Sequence, residues 1–197
     1  MNAPLPAHVA RQAKANEQAQ DHNPSNTYNQ VSRSSNEVAG RLAARLESET
    51  QGEVLFSAAD KGRYATDASI YQSLPVGVFV PRSSADVALA LEICRDLGVP
   101  IVARGGGTSQ CGQTVGAGLV IDHSKYVRNI LAVDAAERMA VVEPGLVLDH
   151  LNASLKKHGL WYPVDVSTSG QATLGGMAGN NSCGSRSIAY GNMVHNV

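Results

Sequence analysis

From Val76 to Asp122 short β-branched runs alternate with one capped helix and a glycine turn, and this alternation restricts the fold more than any other feature of the chain. Val76-Gly77-Val78-Phe79-Val80-Pro81 is apolar and ends on a proline that cannot donate to a ladder, so it predicts a strand. Ser83 precedes Asp86 by three residues, the spacing of a capping box, and Val87, Leu91, Cys94 and Leu97 then keep helical intervals up to Gly98. The segment therefore predicts a helix capped by Ser83 and stopped by Gly98. Val99 to Ala103 reads as a second, buried strand and Gly118 to Asp122 as a third. Strand, helix, strand, glycine loop, strand is the order of a small α/β sheet.

The flanks differ from this centre. From Met1 to about Asn36 the sequence is rich in Ala, Gln, Asn and Ser with Pro4, Pro6 and Pro24, which predicts a disordered or loosely helical lead. A first helix is expected over Asn36 to Ser48, with Val38, Leu42 and Leu46 on one face and the charged residues from Glu37 to Glu49 solvated. The expected organisation is a lead over 1–36, a helical lead-in over 37–75 and one domain over 76–197. After Asp122, the runs Ile130 to Val133 and Met139 to Val142 enclose the polar turn Asp134 to Arg138 and predict a hairpin. Leu148, Leu151 and Leu155 predict a helix from about Leu146 to His158, ending at Gly159. From Val166 onward Gly, Ser, Thr and Asn dominate, too small-residued to build a core and too patterned for a linker.

Composition removes several functions. A net charge of -1 lacks the basic excess that nucleic acid binding requires, and the apolar runs are far too short to span a bilayer. Met1 to Gln20 carries no apolar signal-peptide core, which makes the cytoplasm the default location. Cys94, Cys111 and Cys183 are odd in number and lack C-x-x-C spacing, so they read as reduced thiols rather than a disulfide or metal framework. The histidines His123, His150, His158 and His195 share no metal-ligand spacing and read as surface or structural residues.

Binding chemistry concentrates in two glycine-rich segments. Arg104-Gly105-Gly106-Gly107-Thr108-Ser109-Gln110-Cys111-Gly112 directly follows a predicted strand. Consecutive glycines remove the Cβ atoms from a turn, so its N–H groups converge on an anion, for which phosphate is the best match. Thr108 and Ser109 add hydroxyls, and Arg104 adds positive charge at the mouth. The stretch is neither a P-loop, because Gln113 stands where the lysine belongs, nor a Rossmann turn, because Gln110 occupies the third glycine position. The second segment, Ser167 to Gly184, repeats hydroxyls, amides and glycines; Gly175, Gly176 and Gly179 permit close backbone approach on a short helix-like turn. Two separated donor-rich loops imply a long ligand.

The ordered set Pro81-Arg82-Ser83, Arg104-Gly-Gly-Gly-Thr, Val142-Glu143-Pro144-Gly145, Pro163 and Ala172-Thr173-Leu174-Gly175-Gly176 resembles the FAD-binding domain of the vanillyl-alcohol oxidase and p-cresol methylhydroxylase (PCMH) superfamily. Within it the likeness is to D-lactate dehydrogenases, the glycolate oxidase flavin subunit and large FAD-linked oxidases with iron–sulfur clusters. It covers about Arg63 to Val197, including Arg63-Tyr64-Ala65-Thr66-Asp67-Ala68-Ser69. The resemblance implies an α+β fold: an α/β subdomain on a small parallel sheet, then the start of a second α+β subdomain, with the PCMH-type domain incomplete at Val197. It implies FAD stretched between the two. Gly105, Gly106, Gly107, Thr108, Ser109 and Gln110 would wrap the pyrophosphate. Pro163, Ser169, Thr173, Gly176, Asn180 and Gly184 would line the ribose, diphosphate and flavin side, and Arg104, Gly112 and Gly175 complete the expected cofactor-binding set. Thr108 follows the glycines where some relatives place a flavin-linked histidine, so non-covalent FAD is expected.

The implied reaction of a longer protein is oxidation of a 2-hydroxy acid by hydride transfer to FAD. A cap domain beyond Val197 would hold the substrate, with an iron–sulfur module or quinone among candidate electron acceptors and peripheral attachment at the inner membrane as a variant location. Two other readings stay open: a self-contained, non-catalytic nucleotide-binding module, and an FAD-dependent UDP-sugar reductase. Asp122 and Asp165 fit either ribose contacts or turns, Glu143 fits a turn, and Trp161 and Tyr162 are expected between the helix and the flavin loops.

Overall fold

The computed structural model describes residues 24–197, with side chains described from residue 36. The chain divides into two compact units, Met1–Arg41 and Leu42–Val197, and the second carries both sheets and both glycine-rich segments. The first 23 residues of the expected lead lie outside the described residues. Helix α1 (Pro24–Glu49) begins twelve residues before the expected Asn36 start. Proline at a helix's first position is pre-set in φ and loses no bond there, so Pro24 opens the helix instead of interrupting it. Leu42 and Leu46 are fully buried, as their spacing required.

Strand β1 (Glu53–Leu55), helix α2 (Ala58–Arg63), β2 (Gly77–Val80), α3 (Ser84–Leu97), β3 (Ile101–Arg104) and β4 (Leu119–Asp122) form the α/β part. The sheet order is β1-β2-β4-β3, with β1 antiparallel to β2 and the other pairs parallel. Every residue of β2 and β4 is buried; Val78, Val80 and Val120 share one cluster, and Phe79 and Ile121 pair on the opposite face. Central parallel strands read as continuous apolar runs because both faces are covered. The caps of α3 stand where the residues indicated: the Ser83 hydroxyl accepts from Asp86 N–H at 3.2 Å, and Gly98 closes the helix in the left-handed region. The Asp86 carboxylate reaches further than a capping box requires, accepting from the N–H groups of Arg82 and Gln51 at 2.9 Å each. It thereby ties the chain after α1 to the start of α3.

Strand β3 corrects the expectation of a second buried strand. It lies at the sheet edge, with Ile101 and Ala103 exposed on one face. Its apolar residues are the same kind that bury β4, and only the strand order places one strand inside and the other outside.

Past β4, strands β5 (Ile130–Asp134) and β6 (Met139–Val142) form the expected hairpin. Helix α4 (Leu148–Leu155) continues as one 3-10 turn through His158 and stops at left-handed Gly159. Short helices α5 (Leu174–Gly179) and α6 (Ser187–Tyr190) follow. The prediction that residues beyond Val166 build no core fails here. Ala172, Leu174, Met177 and Met193 are buried with Leu146, Leu148, Leu151, Leu155 and Val164 in one cluster. Sparse apolar residues at the right spacing on one short helix are enough to seat a glycine-rich segment.

Candidate functional site

Strands β3 and β4 are parallel neighbours, so residues 105–118 form a crossover at the carboxyl end of the sheet, a place where open α/β sheets bind ligands. The first glycine segment opens that crossover. Arg104 organises it rather than standing free at the mouth. Its guanidinium donates to the carbonyls of Thr66 at 2.9 Å and Thr114 at 3.3 Å and lies over the Tyr64 ring at 5.6 Å. A Cβ on Gly107, which sits at φ +65°, would meet that guanidinium. Tyr64 in turn donates to the buried Asp122 carboxylate at 2.7 Å, and burial pushes the Tyr64 hydroxyl pKa above its ordinary value. Asp122 also accepts from Ser124 N–H at 2.8 Å, so it serves the turn after β4.

The two glycine segments meet. A Cβ on Gly105 would collide with the Thr173 hydroxyl, and one on Gly106 with the Gln171 carbonyl. Gln113 Nε2 donates to Asn180 Oδ1 at 3.1 Å across the same gap. Together they line a cleft of about 750 Å³ floored by Ile101 to Arg104 of β3.

What each segment offers that cleft differs. Among the described residues, none accepts a hydrogen bond from the backbone N–H of Gly106, Gly107, Thr108, Ser109 or Gln110. Five consecutive free donors on a turn that opens with three glycines are what an anion nest requires. In the second segment the opening N–H groups of α5 are already spent. Leu174 donates to Leu146 O and Gly175 to Pro144 O, both at 2.8 Å, and Gly176 to the Thr173 hydroxyl at 3.3 Å. The helix-like turn expected to repeat the first loop's chemistry therefore supplies a close-fitting wall instead. Gly175 is bare because Pro144 packs on it, with the proline Cβ 2.5 Å from where a Cβ would stand. Gly179 has no protein atom within 4 Å of that position and lines the cleft, so no packing demand within the chain accounts for its bareness.

Of the residues singled out from the sequence, Arg104, Gly105, Gly106, Gly107, Thr108, Ser109, Gln110, Thr173, Gly175, Gly176 and Asn180 line the cleft. Gly112, Pro163, Ser169 and Gly184 do not. Gly112 is left-handed at φ +77° and packs against the Tyr71 ring. Gly184 sits against Asp165, whose carboxylate accepts from Ser185 Oγ at 2.7 Å and Arg186 N–H at 3.0 Å. Ser169 exchanges backbone bonds with Val166 and Asp149, and Pro163 is half-buried beside the Val164 core position. Trp161 also departs from expectation: it stacks edge-on with Tyr190 at 5.3 Å and under Arg186, away from the cleft. Tyr162 does pack beside α4, its N–H donating to Asn152 Oδ1 at 2.7 Å. Glu143 brackets a turn, its carboxylate taking both Asn129 N–H groups at 2.7 Å.

Sequence reasoning missed Gln113, Pro144, Thr168, His123 and the exposed thiols Cys111 and Cys183 as cleft-lining residues. Pro144 carried a signal as the middle of the Glu143-Pro144-Gly145 motif, and Cys111, Thr168 and Cys183 lay inside the two glycine-rich segments.

Residues 75–197 match the family model described as FAD binding domain. The chain belongs to that family. FAD is the cofactor of this domain, and the free N–H groups, the bare Gly179 and the absence of any Asp or Glu among the described lining residues suit its diphosphate. The chain is 40% identical to D-2-hydroxyglutarate dehydrogenase of Pantoea ananatis over 149 residues, which is 74% of the chain and 15% of that relative. It is 36% identical to glycolate oxidase subunit GlcD of Bacillus subtilis over 148 residues, 73% of the chain and 31% of that subunit. The chain thus spans a minor part of the curated relatives it matches. Among solved structures, a BBE-like 1 variant of Physcomitrella patens superposes with a TM-score of 0.65 at 22% identity, over 77% of this chain and 33% of that one, a likeness of fold. The α+β architecture with a PCMH-type FAD-binding domain is therefore established. Among the described residues no helix is long and apolar enough to cross a membrane.

Proposed function

We propose that this FAD-binding domain belongs to a flavin-dependent oxidoreductase acting on a 2-hydroxy acid. Both relatives named above are oxidoreductases named for 2-hydroxy acids, and the family match over residues 75–197 takes in both glycine segments. When bound, FAD supplies a hydride acceptor for the carbon bearing the substrate hydroxyl. The chain's own part is to bind and orient. The N–H groups of Gly106 to Gln110 take the diphosphate oxygens, Thr173, Gly175, Gly176 and Asn180 form the opposing wall, and Gln113 and Asn180 hold the walls in register. The run of five free N–H groups is the observation that carries this placement.

Substrate is held by a part of the longer protein beyond this domain, where an iron–sulfur module is a candidate onward acceptor. FAD is held non-covalently: no histidine lies in the first loop, and Thr108 occupies the position after its glycines. Two measurements test the reading. FAD added to the chain quenches flavin fluorescence saturably, and acid precipitation releases all flavin; absent quenching overturns the site, and retained flavin overturns the non-covalent mode. In the longer protein, a D-2-hydroxy acid added without oxygen bleaches the oxidised flavin, and no bleaching with any 2-hydroxy acid overturns the substrate class.

A further inference from the structure

One side chain in the cleft remains unmatched. His123 directly follows β4, and its backbone is fixed on two sides. Its N–H donates to the Arg104 carbonyl at 3.0 Å, at the root of the first loop, and its carbonyl lies where a Cβ on Gly145 would collide. Gly145 follows Pro144, the residue that packs on Gly175, so His123 stands where the roots of both glycine segments meet.

Within its imidazole, Nδ1 is sealed from solvent and meets no hydrogen-bond partner, the one such side-chain atom among the described residues. An N–H in that position would be a buried donor with nothing to receive it, whereas a bare nitrogen loses only an acceptor's bond. In a neutral imidazole one nitrogen carries the proton and the other does not. The proton therefore belongs on Nε2, which is free to serve the cleft. Burial also lowers the His123 pKa, against the pull of Asp122.

We propose that His123 is a cofactor-binding residue whose Nε2–H donates a hydrogen bond to an oxygen of the FAD diphosphate where it passes between the two glycine segments. The assignment rests on the diphosphate placement proposed above. It adds a side-chain donor of fixed direction to a nest otherwise made of backbone, on the floor rather than the rim.

The test compares wild type, His123→Leu and His123→Gln in titrations with FAD and with ADP, which share the diphosphate. A glutamine amide nitrogen falls near the place of imidazole Nε2, and leucine has no donor. Leucine is expected to weaken both ligands about tenfold, the scale of one hydrogen bond to a charged group, and glutamine to stay within about threefold of wild type. Nitrogen-15 NMR of the wild-type imidazole is expected to show a protonated Nε2 and a bare Nδ1, a readout independent of any variant's folding. Unchanged affinity in His123→Leu, a loss for FAD without a loss for ADP, or the reverse tautomer overturns the assignment. Wild type that binds neither ligand overturns the diphosphate placement and the histidine's role with it; wild-type binding with an indifferent leucine variant overturns the histidine's role alone.

Discussion

The two glycine segments look alike as strings of small residues and are built by opposite means. The first is stitched from outside by polar contacts, with Arg104 bonded to Thr66 and Thr114 and Gly112 seated on Tyr71, and it buries no large side chain of its own. That leaves its N–H groups free. The second hangs on a hydrophobic core through Leu174 and Met177, and its N–H groups are consumed in the hanging. A ligand-binding wall needs both kinds, because free donors give affinity only if something else holds them still. Stability and ligand affinity should therefore separate between the segments.

The largest expected effect tests the hanging. Met177→Ala or Leu174→Ala should cost about 2–5 kcal/mol in urea denaturation, the range for truncating a large buried apolar side chain. Thr108→Ala in the first loop should stay within about 0.5 kcal/mol while weakening FAD binding. Equal destabilisation by the two would erase the distinction. Next, Gly175→Ala forces a methyl onto Pro144 and should cost about 1–3 kcal/mol, the range for overpacking. Gly179→Ala, with open space around it, should lower FAD affinity at nearly unchanged melting temperature, and the opposite ranking would assign Gly179 a packing role.

Thr173 sharpens the comparison further, since its hydroxyl caps α5 and abuts Gly105. Thr173→Ala should lose about 1 kcal/mol by calorimetry, the value of one N-cap, and Thr173→Ser should recover most of it. The smallest effect is a pH dependence at the far end of the second segment. The Asp165 carboxyl is held below its ordinary pKa, chiefly by the Ser185 hydroxyl and then by the Arg186 N–H. A folded-state value below the unfolded one means the contribution is full above the ordinary carboxylate pKa and disappears as pH falls through the lowered value. Thermal stabilities of wild type and Asp165→Asn should thus differ at neutral pH and converge in acid; a gap that persists in acid would remove the carboxylate from the anchor.

Much of this was readable in advance, and the reasons are local. Ser83 and Gly98 bound α3 because caps depend on the few residues around a helix end, and the hairpin around Asp134 to Arg138 follows from alternation and a polar turn. The Gly105 to Gly107 run announced a turn that approaches something closely, and most of the residues picked from the two segments do line one cleft. The misses share a different cause. Gly112 and Gly184 are glycines for the sake of Tyr71 and Asp165, contacts that no spacing reveals. His123 offered no pattern at all, since its significance comes from what fails to surround it.

From the sequence alone followed strands β2 to β6, helices α3 and α4 with the residues that end them, and the glycine-rich turn after β3, because each depends on neighbours along the chain. Tertiary structure decided that β4 lies inside the sheet and β3 at its edge, that the first segment keeps its N–H groups while the second spends them, and that one imidazole nitrogen is sealed beside the cleft. Those are properties of pairing, and a donor is free or taken only when every residue that might have met it has found its place.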